Sequence, residues 1–479
     1  MALNSFNFLI FLFGIIIILG ILQIFRKKTK KDIFEKIQIA LMLIFSYVYV
    51  YLYDYRFCIC LALITLITYF SALLIEKKEK HRKLIFIISI IVNVGFLAYF
   101  KYSEFFINSI KSIIGQDSVT LNIILPIGIS FYIFSTLSYL IDVYKKTYAA
   151  ERNFIHYALY VGFFAKLTAG PILRAKTFLP QIKNYKGLSV NKFSTGIQIF
   201  VFGLFKKIVL ADHLGVFVDN VFNAPVAYNT FTVVLAVISY AMQIYFDFSG
   251  YSDMAIGISR ILGFEFPANF NLPYISKNFS EFWKRWHISL SSWFQEYLYI
   301  PLGGNKKGEI RTYVNLVLVM LVSGLWHGAG WTFIIWGLLY GLGSCINRIC
   351  KKYIKSKIEK NTVIDIIKVL VTFTFVTLFW VVFRADSTLS ALQVYNQLFT
   401  IHDGINQPYT WTFFALVVLI VSTIFAIVKS KKNNEERVNG YYPILDLNKI
   451  RNLVLFFTFI GITILMGYYG DTAFIYGKF

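Results

Sequence analysis

Two histidines, each directly after a tryptophan, are the residues of this sequence best suited to chemistry. His327 follows Trp326 in the apolar stretch LVSGLWHGAG, and His287 follows Trp286 in FWKRWHISLS. An ionisable side chain inside an apolar stretch is costly to bury and is a functional candidate by default. The ordinary pKa of histidine lies near neutrality, which suits proton transfer. Both histidines are therefore candidates for acid–base catalysis.

Each histidine also has a purely structural explanation. His327 is explained equally well by a hydrogen bond that joins two helices, and small neighbours such as Ser323 and Gly328 allow another backbone or a substrate to come close. His287 lies in a polar and aromatic segment, and its position alone favours an interfacial histidine. Position therefore leaves both interpretations open.

Two aspartates in the segment YFDFSGYSDMAIG are further candidates. Asp247 ends an apolar stretch, and a carboxylate there requires a partner, for which a cation such as Arg285 is a candidate. We expect Ser249-Gly250 to break the preceding span and Ser249 to cap a new helix, with Asp253 in its first turn.

The motifs of common soluble enzymes are absent from the sequence. It contains no phosphate-binding loop, no G-x-S-x-G elbow and no H-E-x-x-H zinc site. The four cysteines have no partners at zinc-ligand spacing. We therefore expect no metal and no bound cofactor, and a site that works with histidine and local dipoles.

The composition identifies the elements that must position these residues. Of 479 residues, 57% are hydrophobic and only 15% are charged, whereas about a quarter of a soluble chain is charged. This excludes a disordered protein, a coiled coil and an ordinary cytosolic enzyme, and it predicts an all-α polytopic membrane protein.

A span needs about 20 apolar residues. The thirteen stretches that approach this length are 6–25, 38–53, 57–76, 84–100, 121–141, 154–170, 193–211, 230–248, 312–326, 329–348, 363–383, 411–428 and 452–469.

Several of these stretches are short, so we expect about eleven transmembrane helices together with re-entrant or interfacial helices. The segment 276–300 is too charged to span and too aromatic to lie free in water, which favours a re-entrant or interfacial helix. The region 150–300 fits a regular alternation of spans poorly, and irregular structure at membrane depth is expected there.

The basic residues predict the orientation of the chain. There are 47 basic and 25 acidic residues, a net charge of +22, and the basic ones lie in short clusters between apolar stretches. This is the pattern of cytoplasmic membrane loops, and it argues against a nucleic-acid partner. Placing all six clusters in the cytoplasm predicts a multi-pass plasma-membrane protein with both termini outside. The clusters are Arg26–Lys31, Lys77–Lys83, Lys145-Lys146, Lys306–Arg311, Lys351–Lys360 and Lys429–Arg437.

Eight segments, in one order along the chain, carry a resemblance to a known family. They are PIGISFYIFSTLSYLIDVYKK (126–146), AGPI (169–172), GLFKKIVLAD (203–212), YFDFSGYSDMAIG (245–257), NFNLPY (269–274), FWKRWHISLS (282–291), VSGLWHGAGWTFIIWG (322–337) and FWVVFRADS (379–387). The chain resembles the membrane-bound O-acyltransferases, in the branch of the bacterial alginate O-acetylation proteins. The teichoic-acid D-alanylation proteins are more distant relatives.

The resemblance implies one membrane domain over 1–479, a helical bundle around a central funnel. Within it, 1–120 supplies N-terminal transmembrane helices, 121–400 the family core, and 401–479 the C-terminal helices and an extracytoplasmic tail. The family's catalytic histidine corresponds to His327 and its second histidine to His287. The side chains predicted to support this site are Trp326, Trp286, Arg285, Asp247 and Ser323.

The resemblance also implies the substrates and partners. The donor substrate is acetyl-CoA in the cytoplasm, and the acceptor is a polysaccharide hydroxyl outside, reached with an SGNH-type extracytoplasmic acetyltransferase as partner. Membrane lipids surround the chain. The end of the chain, AFIYGKF, resembles the family's C-terminal motif, although Gly477-Lys478 replaces Phe-Gln. Tyr476 is therefore a candidate acyl relay, and a tail packed at the interface by its aromatic residues is the alternative.

Two other functions stay open at this stage. One is D-alanyl transfer to teichoic acid from a carrier protein, which a neighbouring carrier-protein gene would favour. The other is a transporter that relays protons through histidine and aspartate without acyl transfer. The identity of the polysaccharide does not follow from the sequence.

Overall fold

The computed structural model describes residues 2–29, 33–168, 170–353, 362–433, 444–470 and 475. Within these ranges the chain is helical, and its strand-like pairing is limited to one bridge between Tyr228 and Ile405. This confirms the predicted all-α class. Membrane-spanning chains favour helices because a helix satisfies its own backbone hydrogen bonds where no water is available.

Nine helices of the described ranges are long and apolar enough to cross a membrane. They are Phe6–Thr29, Ile33–Tyr51, Tyr55–Lys77, Arg82–Ile113, Thr230–Ile261, Glu309–His327, Trp331–Tyr353, Thr362–Arg384 and Thr410–Asn433. Shorter apolar helical segments cover Ile129–Tyr144, Phe154–Leu167 and Ile450–Leu465. The prediction of a polytopic membrane protein is confirmed.

The long helix Arg82–Ile113 illustrates how these helices distribute polarity. Ile91 is 63% exposed, whereas Asn93 on the same helix is fully buried. The Asn93 amide donates to the Ser89 carbonyl oxygen, and its Oδ1 accepts from the Thr136 hydroxyl at 2.8 Å. Polar side chains thus join helices inside the protein while apolar side chains cover the outside, as expected of a chain surrounded by lipid.

The chain divides into two compact units. One comprises Met1–Val201 with Tyr251–Pro267, and the other Phe202–Gly250 with Ala268–Phe479. In the first unit the apolar segment Phe154–Leu167 is interrupted at Phe163, which has an extended backbone ψ of 116°. The freed backbone N–H of Phe164 donates to the Ser46 hydroxyl, so the break is compensated internally.

In the second unit, helices Glu309–His327 and Trp331–Tyr353 form a hairpin at whose turn His327 lies. Glycines allow the two helices to touch: a Cβ at Gly324 would collide with the Phe333 carbonyl, and one at Gly337 with the Met320 carbonyl. Close backbone contact through glycine is a common way for membrane helices to associate. The hairpin therefore holds His327 on a rigid element.

Short helices occupy the region for which the sequence predicts irregular structure. Between residues 150 and 300 the short segments are Phe154–Gly162, Phe164–Leu167, Ala175–Lys183, Asp212–Asn223, Phe279–Arg285 and Ile288–Phe294, with π-helical turns at Phe205–Ala211 and Gln295–Tyr299. Single π-helical turns often occur at functional sites. The segment 276–300 is accordingly three short helical pieces.

The prediction of a helix break at Ser249-Gly250 is wrong. Helix Thr230–Ile261 runs through this dipeptide without interruption, so Ser249 caps no helix and Asp253 lies in no first turn. Gly250 serves packing instead, because a Cβ there would lie only 2.7 Å from the Gly203 carbonyl oxygen. The glycine permits a close approach of two helical segments rather than a break.

Candidate functional site

Both sequence-predicted histidines are buried in the second unit. His327 is the last residue of helix Glu309–His327 and is 2% exposed, and His287 is fully buried between Phe279–Arg285 and Ile288–Phe294. The C-terminal end of a helix carries partial negative charge, which favours a cation. His327 therefore lies at the partially negative end of this helix.

The Trp326 ring connects the two histidines. Its centre lies 4.9 Å from that of His327 and 5.8 Å from that of His287. The His327 ring also meets the edges of Trp336 at 5.0 Å and Phe383 at 5.4 Å. The structure thus brings together His327, His287 and Trp326, which are distant in sequence, in one aromatic enclosure.

Asn269 fixes the proton on the His287 ring, and sequence reasoning did not select it. Its Oδ1 accepts from the Ser289 backbone N–H at 3.1 Å, which identifies this atom as the amide oxygen, and it lies 3.2 Å from His287 Nδ1. His287 lies outside the candidate spans, and burial lowers its pKa to about 3, so the ring is neutral. A neutral ring that donates from Nδ1 keeps the lone pair on Nε2.

The backbone at His287 is in the left-handed region, with φ of 42° and ψ of 56°. Such a conformation costs energy for a residue with a side chain and is concentrated at functional sites. Two backbone hydrogen bonds, Ile288 N–H to Asn269 O and Asn271 N–H to Arg285 O, pin the flanking segment. The segment NFNLPY is therefore the support of His287.

Arg285 and Trp286 belong to this support rather than to the reacting centre. The Arg285 side chain pairs with Glu281 at 2.8 Å and donates to the Asn271 carbonyl oxygen. Trp286 is fully buried against Phe270 and Trp380, each at 5.0 Å between ring centres. Both residues thus hold the loop that presents His287.

Asp247 is paired with Lys207, and the suggestion that Arg285 is its partner is wrong. Lys207 Nζ lies 2.7 Å from Asp247 Oδ1 and 2.7 Å from Asp212 Oδ1, and all three side chains are at most 4% exposed. The sequence signal was present, since Lys207 and Asp212 lie within the segment GLFKKIVLAD. Only the fold shows that the π-helical turn Phe205–Ala211 aims this lysine at Asp247.

Two further residues predicted from the sequence are Ser323 and Tyr476. Ser323 is buried one helical turn before His327, with 2% exposure. Tyr476 lies outside the described residues, whereas its neighbour Ile475 lies within them and donates its backbone N–H to Asp247 Oδ2 at 2.8 Å.

Comparison with known proteins places this histidine site within a family. The sequence model of the MBOAT, membrane-bound O-acyltransferase family matches residues 144–391, which is about half of the chain and contains both histidines. The chain belongs to this family. The predicted membership and the class of acyltransferase are therefore confirmed.

Curated relatives of this MBOAT protein are named for acyl transfer to peptidoglycan, alginate or teichoic acid. It is 40% identical over 354 residues to the peptidoglycan O-acetyltransferase of Helicobacter pylori, covering 68% of this chain and 67% of the relative. It is 44% identical over 317 residues to the probable alginate O-acetylase AlgI of Pseudomonas putida, covering 65% and 64%. A teichoic acid D-alanyltransferase of Bacillus subtilis is 31% identical over 271 residues, covering 53% and 67%.

The matched regions thus span about two thirds of the length of these relatives. The O-acetyltransferases are more similar to this chain than the D-alanyltransferase, both in identity and in the share of this chain that is matched. The comparison favours acetyl transfer within the MBOAT family.

Proposed function

We propose that this protein is a membrane-bound O-acetyltransferase that uses cytoplasmic acetyl-CoA for the O-acetylation of an extracytoplasmic polysaccharide, with His327 as general base. The observation that supports this most directly is the buried pair His327 and His287, joined by Trp326 inside the region matched by the family. A secreted or anchored SGNH-type acetyltransferase is the proposed partner outside, and both termini are proposed to lie outside.

The chemistry explains why a membrane enclosure is useful. The phosphates of CoA do not cross hydrocarbon, so the thioester must be presented from the cytoplasmic side while the acceptor hydroxyl arrives from the other. The cytoplasmic loop Lys306–Arg311 supplies positive charge for the phosphates. Lys351–Lys357 would add to it, although residues 354–361 lie outside the described residues.

In the proposed step, His327 takes the proton of the acceptor hydroxyl as its oxygen attacks the acetyl carbonyl. The new C–O bond forms, the carbonyl becomes an oxyanion, and collapse of the intermediate breaks the C–S bond. The CoA thiolate then takes the proton back from the imidazolium. Such general-base assistance typically contributes about 10²–10⁴ in rate.

The oxyanion of this step needs a donor, and Trp336 is the proposed one. It is fully buried, its ring contacts His327, and its indole N–H meets no acceptor among the described residues. An unsatisfied buried N–H is costly unless a ligand satisfies it. His287 suits this role less well, because its Nε2 carries a lone pair in the tautomer that Asn269 imposes.

We expect Trp336→Phe, which keeps an aromatic ring and removes the N–H, to lower kcat by about 10²-fold. The KM for acetyl-CoA should change little, because the hydrogen bond forms with the developing oxyanion. Steady-state CoA release measures both constants. Trp380→Phe is the matched control: it is equally buried, lies 5.7 Å from Trp336, and should lose only a few-fold. Equal losses in both variants would assign Trp336 to packing alone.

Tyr476 is the proposed acyl relay to the external partner. Its sequence neighbour Ile475 binds Asp247, and the next residue of that helix, Phe248, meets the His287 ring edge-on at 4.6 Å between centres. In this scheme the phenol oxygen is the first acyl acceptor, and the partner then transfers the acetyl group to the polysaccharide. Failure to trap an acetyl group on Tyr476 by mass spectrometry would argue against the relay.

The experiment that tests the proposed function uses purified protein and acetyl-CoA labelled in the acetyl group. Release of CoA and transfer of label, both lost in His327→Ala, would establish the donor and the catalytic residue. Transfer from a D-alanyl carrier protein instead of acetyl-CoA would replace this proposal with D-alanylation.

A further inference from the structure

Lys207, Asp212 and Asp247 form a buried ion cluster. The Lys207 ammonium lies 2.7 Å from a carboxylate oxygen of each aspartate. Buried charges are retained where their remaining hydrogen-bonding capacity is satisfied. The second carboxylate oxygen of Asp247 accepts a hydrogen bond from the backbone N–H of Ile475, which lies 228 residues later in the chain.

Met466 and Tyr468, which precede Ile475 in the chain, contact the π-helical turn that carries Lys207 and the residues just after it. After helix Ile450–Leu465, the Tyr468 N–H donates to the Ile208 carbonyl oxygen at 2.8 Å, and His213 Nε2 lies 3.0 Å from the Met466 carbonyl oxygen. The His213 and Tyr468 rings also meet, at 5.5 Å between centres. Two points along the C-terminal segment therefore contact one region of the second unit, around residues 208–213 and at Asp247.

The position of Asp247 connects this contact to the histidine site. Phe248, the next residue, packs against His287, and Tyr245 lies on the same helix with its ring 6.3 Å from that of Trp286. A segment held by Asp247 is thus held one residue from a side chain that touches His287.

We propose that Asp247, oriented by Lys207, is the docking point for the C-terminal end of the chain and acts as a positioning residue for acyl transfer. The docking stands on the contacts of Ile475 and Tyr468, whereas its consequence for transfer rests on the proposed function. The ligand is the chain's own backbone, because the Asp247 carboxylate accepts the main-chain N–H of Ile475. Lys207 holds the carboxylate in place from 2.7 Å.

The two aspartates supply a matched pair of variants. Asp247→Ala and Asp212→Ala each remove one buried carboxylate that lies 2.7 Å from the Lys207 ammonium, and each leaves the other carboxylate in place. Only Asp247→Ala removes the acceptor of the Ile475 N–H. We expect hydrogen exchange at the Ile475 amide, followed by mass spectrometry of full-length protein in nanodiscs, to accelerate at least about tenfold in Asp247→Ala. Asp212→Ala should stay within about twofold of the unmodified protein.

Equal acceleration in both variants, or none in Asp247→Ala, would overturn the docking. A second pair of variants leaves the core untouched: Ile475→Pro removes the N–H, whereas Ile475→Ala keeps it. We expect carboxypeptidase to remove the last residues several-fold faster from the proline variant and at the unmodified rate from the alanine variant. Equal digestion of the two variants would also overturn the proposal.

Measurements of acetylation activity distinguish the docking of Ile475 from its proposed role in acyl transfer. We expect Asp247→Ala to lower the kcat for acceptor acetylation about tenfold while the KM for acetyl-CoA stays unchanged, and Asp212→Ala to retain most of the activity. Exchange that responds to Asp247 in a protein that never uses acetyl-CoA would support docking and refute the proposed function. Exchange that responds while kcat stays unchanged would overturn the positioning role.

Discussion

Replacing His327 by alanine is expected to lower acetyl transfer by about 10²–10⁴-fold or more while leaving the protein folded. The imidazole is the proposed base, and its ring contacts those of Trp326, Trp336 and Phe383. The measurement is CoA release from labelled acetyl-CoA by purified protein, with size-exclusion elution as the test of folding.

His287→Ala is the comparison that ranks the two histidines. We expect a milder loss of activity. The neutral His287 ring accepts a hydrogen bond through Nε2 and so orients its partner, whereas it does not take the proton in the reacting step. Asn269→Ala should cause a similar loss, because Asn269 Oδ1 lies 3.2 Å from His287 Nδ1 and holds the tautomer of that ring. Equal loss of activity in His327→Ala and His287→Ala, with normal expression, would refute the ranking.

The largest effect on stability is expected at Lys207. Lys207→Met removes the ammonium that lies 2.7 Å from both Asp212 and Asp247 and leaves two carboxylates buried together. Breaking a buried ion pair from one side costs about 3–5 kcal/mol. We expect a much lower yield of monodisperse protein and a lower midpoint of thermal unfolding in detergent, measured by fluorescence-detected size exclusion.

Lys206→Met is the control for this substitution. It removes the same charge from the adjacent position of the same π-helical turn, where the side chain is only half-buried, and it should shift the midpoint little. Adding Asp212→Asn and Asp247→Asn to Lys207→Met should recover stability, because the three buried charges of the cluster are then all removed. A triple variant as unstable as the single one would show that Lys207 acts through packing.

The pairing of Asp247 illustrates what the sequence could not supply. A carboxylate at the end of an apolar stretch predicts a cation nearby, but several basic residues satisfy that condition. Arg285 is one such candidate, and in the fold it pairs with Glu281 and Asn271 instead. Lys207 is selected because a π-helical turn rotates it inward, and local sequence does not specify such a turn.

Gly250 illustrates a second limit. A Ser-Gly pair inside an apolar stretch is a reasonable sign of a break, because glycine weakens helices in water. In this fold the helix Thr230–Ile261 continues through the pair. The missing side chain of Gly250 instead lets the Gly203 carbonyl come close. Tertiary packing decides whether a glycine ends a helix or serves as a contact point.

The sequence alone predicted that this protein lies in a membrane and which family it belongs to. An apolar composition with few charges requires membrane helices, and two Trp-His pairs within an ordered set of segments predict the MBOAT family and its histidines. Only the tertiary structure decided which residues serve those histidines: Asn269 beneath His287, Trp336 against His327, and Lys207 between two aspartates. The physical reason is separation along the chain. Composition and periodicity report on neighbouring residues, whereas these hydrogen bonds and ion pairs form between distant residues that helix packing brings together.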